Sequence, residues 1–524
     1  MTTHNRSFAP TSKQPMAKLL PIAATVLLCA CGGGGGGSNS SNSSNTGNTP
    51  DNTTGNNDSI AAQYQGTWLA EAYGSAFKIE DDSLALYRFT NNYCFLEEQF
   101  SQIDNEDVQR ALRINDSGQM EWYSQNGDAD FGAPSHPYNA ASDLPAACLD
   151  GLEPVLGQAG YDNSAAYVYD VFRDIFSQYF VDLEKVGATW HSLADELRYQ
   201  LPESADDDGL IAALDALLAP LADTHNYVEL PNGQSLRSFT KPTLDQVLIS
   251  EALQLLGITT PVNANDLTSQ QIDDITYYVD SELELIEAIT LNYAEQPEDI
   301  QRSDNGLVTW FSNQGIGYLH IAAMTGYGDD DAAELDDLAS TESAIDHIDA
   351  IMDQALTDLA DVSALIIDVR TNGGGNDYIS LAIASRFAQQ DVLAYRKQAR
   401  LGSARTEPMD VVISPRGNMT YAGPVYLLVS PNTVSAAETF TLAMSAMSQV
   451  TLVGEATHGA FSDVLEWTLP NGLHIGLSNE FYLTPEGQWL EGQGVPVDIT
   501  VPSFSLEARA NHQDDAIEAV LEQL

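Results

Sequence analysis

An α/β fold with a helical middle and a β-rich front is the class this sequence predicts, on three observations. From Gly315 onward, short apolar runs alternate with amphipathic stretches. The runs Ile316–Ile321, 364–369, Val425–Val429 and 450–453 read as buried strands, and 341–359, 378–388 and 435–447 read as helices. Upstream, Tyr167, Val171, Ile175 and Tyr179 recur every four residues, the spacing of one helix face. Further forward, 64–73 and 83–90 have the aromatic, alternating character of strands.

The elements follow in order along the 524 residues. Residues 1–18 carry Arg6, Lys13 and Lys18 but no acidic residue, and 19–30 is an apolar run too short to cross a bilayer. It ends Leu28-Cys29-Ala30-Cys31, which resembles a bacterial lipobox. Residues 1–31 are thus expected to be a lipoprotein signal, with Cys31 lipidated after cleavage. That resemblance implies the cell envelope, and glycine rather than aspartate at position 32 implies the outer membrane. Residues 32–62 are Gly/Ser/Asn-rich and cannot form a core, so they read as a tether. A β-rich module is expected over 63–155, with Tyr87, Phe89, Phe95 and Trp122 available to its core. Helices are expected through 160–230 (one carrying Tyr167 to Tyr179, then 190–199 and 210–221) and through most of 231–312 (244–256 and 272–292). The α/β region covers 313–505, with late strands near 473–477 and 499–501, and a final helix lies in 506–524.

Composition narrows function. With 75 acidic and 21 basic residues, the formal net charge is −54. Nucleic-acid binding needs a basic footprint and is excluded on that ground. Membrane contact is expected through the N-terminal lipid only. No EF-hand spacing surrounds Asp329-Asp330-Asp331, and no CxxC pair suggests zinc, so no metal is expected. Beyond the signal, Cys94 and Cys148 are the cysteines that an oxidising compartment could pair. Oligomeric state is not legible.

The chemistry concentrates in Pro431-Asn432-Thr433-Val434-Ser435-Ala436-Ala437-Glu438. It delivers a serine at a strand–turn–helix junction, where backbone N–H groups are free. About sixty residues upstream, Asp368-Val369-Arg370-Thr371-Asn372-Gly373-Gly374-Gly375 reads as a strand ending in a glycine turn. A nucleophile beside free N–H groups suits acyl transfer.

With these, the segments 315–321, 453–457 (Val-Gly-Glu-Ala-Thr) and 491–498 (Glu-Gly-Gln-Gly-Val-Pro-Val-Asp) occur in the order seen in tail-specific, or C-terminal processing, serine peptidases. The resemblance covers roughly 160–505. It implies a ClpP/crotonase-like catalytic core under a helical cap, peptide or protein substrates, and no cofactor. One branch of that family uses a lysine in a pattern like Thr-Phe-Gly-Lys-Gly; here Thr457-His458-Gly459-Ala460-Phe461 puts alanine in its place. The chain looks like the other branch, which includes the tricorn core protease and takes a histidine from the cap. On that resemblance Ser435 is the nucleophile, His225 the base, and Glu491 and Thr224 orient it. The oxyanion would meet the N–H groups of Ala436 and Gly374. His458 is the competing base, His320 reads as a strand residue either packed or turned to solvent, and Glu438 is expected to brace the helix after Ser435. Many relatives carry a PDZ domain between cap and core, but 229–314 shows no such peptide-binding loop. The expectation is an exported, lipid-anchored serine peptidase. The alternative is a non-catalytic ligand-binding or scaffold lipoprotein on the same fold.

Overall fold

The computed structural model describes residues 59–122, 137–202, 204–238, 241–260, 262, 266–328 and 338–524. The signal segment with Cys31, nearly all of the tether, and Asp329 to Asp331 lie outside the described residues. The architecture is mixed α/β.

The front of the chain is antiparallel. Strands β1 (Gly66–Ala70), β2 (Ser75–Ile79), β3 (Ser83–Phe89) and β4 (Cys94–Ser101) pair in sequence. Helix α1 (Asn105–Ala111) and a ribbon of β5 (Leu112–Ile114) and β6 (Met120–Trp122) follow, and β7 (Asn139–Ala141) closes the sheet against β1. The strand expected to reach Tyr73 stops at Ala70, because Glu71–Tyr73 form a 3-10 turn ending in left-handed Gly74. A Cβ at Gly74 would meet the Phe89 carbonyl at 2.5 Å, so the turn admits only glycine. Cys94 bonds Cys148 of helix α2 (Ala146–Asp150) across 54 positions. Closing a loop of that length is worth about 4 kcal/mol in the chain-entropy model.

Helices α3 (Ala165–Tyr179), α4 (Leu183–Gln200) and α5 (Asp207–Leu218) come next. Ser164 caps α3, and its Val168, Val171, Phe172, Ile175 and Phe176 are buried at helical spacing. This face packs in one cluster with Trp68 and Phe77 of the front sheet and with Trp467 and Ile475 far downstream. The front sheet therefore shares its main core with the helices. Strands β8 (Tyr227–Glu229) and β9 (Ser235–Arg237) lead to helices α6 (Leu244–Leu255) and α7 (Ser269–Leu291), which pack on each other through Ala252, Leu253 and Ile275.

The central sheet has seven strands. In spatial order they are β10 (Gln301–Arg302), β11 (Val308–Asn313), β12 (Ile316–Ile321), β13 (Ala364–Asp368), β17 (Val425–Val429), β18 (Val450–Gly454) and β22 (Ile499–Thr500). From β12 to β22 neighbours are parallel. One face, with Leu319, Leu365, Ile367 and Leu427, is buried with residues of α8 (Leu338–Asp358), α9 (Asp377–Ser385) and α10 (Ala436–Ser445). The alternate residues Tyr318, Ile366, Leu428 and Val453 meet Ile517 and Val520 of α12 (Asp515–Leu521), which follows the short α11 (Leu506–Ala510). Both faces are covered, which is why these strands read as continuous apolar runs. Two smaller sheets flank the centre. One holds β14 (Val392–Leu401), β15 (Ala404–Arg405), β16 (Met409–Ile413) and β21 (Glu480–Leu483). The other joins β19 (Val464–Thr468) and β20 (His474–Ser478) to β8 and β9.

Candidate active site

Strand β17 runs apolar to Val429, and the next residues are stitched to the neighbouring strand end. Ser430 Oγ donates to the Arg370 carbonyl at 2.6 Å, and Thr433 Oγ1 to that of Val369 at 2.9 Å. The turn then places Ser435 at φ 57°, ψ −124°, outside any comfortable region for a residue with a Cβ. Its N–H donates to the Ala460 carbonyl at 3.1 Å and to Glu438 Oε2 at 3.3 Å, which holds the strained backbone in place. Ala436 opens α10, so its N–H has no acceptor within the helix.

Gly374 lies against this turn. At φ +101°, a Cβ there would come within 2.7 Å of the Ser435 Cβ and 3.0 Å of the Ala436 nitrogen. The two expected oxyanion donors are thus side by side. The Gly374 N–H, however, donates to Asn372 Oδ1 at 2.9 Å, and Asn372 Nδ2 in turn donates to the Ile321 carbonyl.

Glu438 is fully buried and accepts from Thr457 Oγ1 (2.6 Å), the Gly459 N–H (2.6 Å) and the Ala460 N–H (2.7 Å) as well as from Ser435. Burial pushes its carboxyl up to about 7, against the pull of those donors. It braces the serine turn against the 457–460 loop.

The same loop continues to the other candidates. The Phe461 N–H points to both oxygens of Glu491, at 3.3 and 3.2 Å. Glu491 is buried, and burial holds it well above the usual carboxylate range, with Asp223 and Glu438 adding and the Phe461 and Ser462 N–H groups opposing. His225 is 3% exposed and hydrogen-bonds the Ser462 backbone. Burial, with the Arg237 charge, pushes it down to about 4, while Asp463 and that hydrogen bond oppose the shift. Its own N–H donates to Asp223 Oδ1 at 2.9 Å, and the side chain of Asn226 accepts from the Ser478 N–H at 3.2 Å. His225 Nδ1 has no hydrogen-bond partner among the described residues, nor has Thr224 Oγ1, so Thr224 does not hold the ring. No direct hydrogen bond among the described residues joins Ser435 Oγ to His225.

The competing histidine, His458, is buried, with Nδ1 3.0 Å from the Pro431 carbonyl and its pKa lowered chiefly by burial. His320 pairs with Thr371 Oγ1 at 3.2 Å. Sequence reading missed Asp223, Asn226, Ser462 and Lys241. Lys241 Nζ spans the Thr457 and Gln493 carbonyls at 2.6 and 2.7 Å, clamping the loop that carries Glu438's donors to the one that follows Glu491. The Asp two residues before His225 was the only local signal for any of them.

Residues 315–501 match the description "Peptidase family S41". That stretch contains Ser435, Gly374, Ala436 and Glu491, while Thr224 and His225 precede it. The chain is similar to the "Probable CtpA-like serine protease" of Staphylococcus epidermidis (strain ATCC 12228 / FDA PCI 1200), 20% identical over 267 residues, which are 50% of this chain and 50% of the relative. The chain thus spans about half the length of the curated relative it matches. Among solved structures it is similar to a candidate peptidase from Parabacteroides merdae ATCC 43184, with 20% identity and a TM-score of 0.50, covering 69% of this chain and 97% of that one. At that identity the likeness shows the fold. A looser likeness, TM-score 0.38 at 15% identity over 68% of this chain and 99% of the other, is to a photosystem II D1 C-terminal processing protease. Over residues 315–501, which hold the central sheet from β12 onward and the serine turn, the chain is similar to peptidase family S41.

Proposed function

We propose that this protein is an exported, lipid-anchored serine peptidase that hydrolyses peptide bonds through an acyl-enzyme on Ser435. Its central sheet with α8–α10 is the ClpP/crotonase-like core, α3–α5 form the helical cap, and residues 63–155 form the β-rich front. One observation carries the reading: the segment Gly459–Ser462 touches the Ser435 N–H, Glu438, Glu491 and His225, so three distant parts of the chain meet at one loop.

In this mechanism Ser435 Oγ attacks the scissile carbonyl carbon and His225 takes the hydroxyl proton. Burial keeps His225 neutral at physiological pH, hence able to accept. The Asp463 charge and the Ser462 backbone, which oppose the downward shift of His225, favour the imidazolium formed in that step. The Ala436 N–H receives the oxyanion, and Gly374 joins it when its N–H leaves Asn372; such a donor is commonly worth about 3 kcal/mol. His225 then protonates the leaving amine, and water, deprotonated by His225, releases the acid and regenerates Ser435. Catalytic hydrogen bonds often tighten only when substrate binds, and the Ser435–His225 bond is expected to do so.

The test incubates the protein with a diverse peptide mixture and reads products by mass spectrometry. Wild type runs beside Ser435→Ala, His225→Ala and His458→Ala. Cleavage is expected in wild type and His458→Ala and to fall by at least about 10³-fold in the other two, all four remaining folded. Undiminished hydrolysis by Ser435→Ala would sink the proposal. A folded wild type that binds apolar ligands but cleaves nothing would favour a binding lipoprotein.

A further inference from the structure

The short stretch Ser478–Glu480, between β20 and β21, is a polar hub. The Ser478 N–H donates to Asn226 Oδ1, next to His225. The Glu480 N–H donates to Ser462 Oγ at 3.1 Å, and the backbone of Ser462 meets both His225 and Glu491. The Glu480 carboxylate is buried, with Oε2 2.8 Å from Lys397 Nζ and Oε1 accepting from Tyr73 Oη at 2.6 Å. Tyr73 is 6% exposed and sits in the 3-10 turn between β1 and β2, 407 positions away in sequence. The turn is fixed in turn by left-handed Gly74 and by the Phe89 N–H donating to the Gly74 carbonyl. A rigid part of the front sheet therefore ends on the carboxylate whose own backbone holds the His225 partner loop.

From this arrangement we infer that Tyr73 is a positioning residue for His225, acting through Glu480 and Ser462. The inference rests on the serine-peptidase reading. It makes the front sheet part of the catalytic unit and not an appended module. Lys397 neutralises Glu480, and its amine lies 4.0 Å from Asp463, on the residue following Ser462. Glu480 is thus held from two sides, by a charge and by a hydroxyl. Losing the hydroxyl leaves the charge paired but frees the carboxylate to turn toward Lys397, which relaxes the Ser462 loop. A catalytic base displaced by a fraction of an ångström loses turnover before it loses substrate binding.

The experiment compares wild type, Tyr73→Phe, Ser462→Ala and Ser75→Ala in the full chain. Ser75 bonds Tyr138 Oη at 2.9 Å in the same front sheet and serves as the structural control. The readouts are kcat and KM on a cleaved peptide, the rate of Ser435 modification by a fluorophosphonate, and the thermal midpoint. Tyr73→Phe and Ser462→Ala are expected to lower kcat and the labelling rate roughly tenfold with KM unchanged. Ser75→Ala should keep wild-type kcat. Wild-type kcat and labelling in a folded Tyr73→Phe overturns the inference, and so does wild-type kcat in Ser462→Ala if Tyr73→Phe fails to fold. A loss of kcat in Ser75→Ala equal to that in Tyr73→Phe also overturns it. A wild type that neither cleaves nor labels sinks the peptidase reading itself.

Discussion

Ser435 and Gly374 show how much of a site can be set by two backbone conformations. Ser435 bears a Cβ at φ 57°, a strain of about 1–3 kcal/mol that persists only because Glu438 and Ala460 hold its N–H. Gly374 must lack a Cβ because Val434 O and Ser435 Cβ would lie 2.6 and 2.7 Å from it. Gly374→Ala is therefore expected to lose peptide hydrolysis and about 1–3 kcal/mol of stability by chemical denaturation; wild-type kcat in that variant would contradict the close approach. His225 yields a pH prediction. Its pKa, about 4 in the fold against 6.5 ordinarily, means the native state binds fewer protons than the unfolded chain between those values. Its contribution is present above pH 6.5 and lost as pH falls through about 4. Glu438 has the opposite sign: raised to about 7 from 4.5, it contributes below pH 4.5 and the contribution is lost as pH rises through about 7. His225→Gln should flatten the fall in urea midpoint between pH 6.5 and 4, and an unchanged slope would refute the assignment. At this scale the serine turn and the glycine turn were legible, because each is a local motif. The pairing of Gly374's N–H with Asn372 was not, since the same Asn-Gly-Gly sequence permits a free N–H.

At the level of elements, legibility follows burial. Strands β12, β13, β17 and β18 are covered on both faces, so their sequences are nearly all apolar and were read correctly. Strand β14 was not read as a strand, because Arg396, Lys397, Gln398 and Arg400 interrupt any alternation. Lys397 nevertheless points inward, 5% exposed, because Glu480 waits on the paired strand β21. A buried ion pair broken on one side leaves a stranded charge, which typically costs about 3–5 kcal/mol. Lys397→Ala should lower the unfolding free energy from denaturant titration by that order, while Arg396→Ala, whose pair with Asp410 is partly exposed, should change it by under about 1 kcal/mol. Equal losses would mean that the Lys397 pair is not buried in solution.

For the whole molecule, the lipid anchor is the reading most open to a direct test. Cys31→Ala should move the protein from the membrane pellet to the soluble fraction, with peptide hydrolysis intact; continued sedimentation with membranes would refute lipidation at Cys31. Composition and local pattern by themselves determined the mixed α/β class, the helical middle, the serine at a strand–turn–helix junction and the glycine turn before it. These are properties of neighbouring residues: apolar runs, helical spacing and turns that demand particular φ values. Only the tertiary structure decided which side chains meet. Tyr73 reaches Glu480 across 407 positions and Asn226 reaches Ser478 across 252, each through one donor and one acceptor. A single hydrogen bond between distant residues leaves no period and no spacing in the sequence. It is created when two buried polar groups, each costly to leave unpaired, are brought to the same place by the packing of the apolar residues around them.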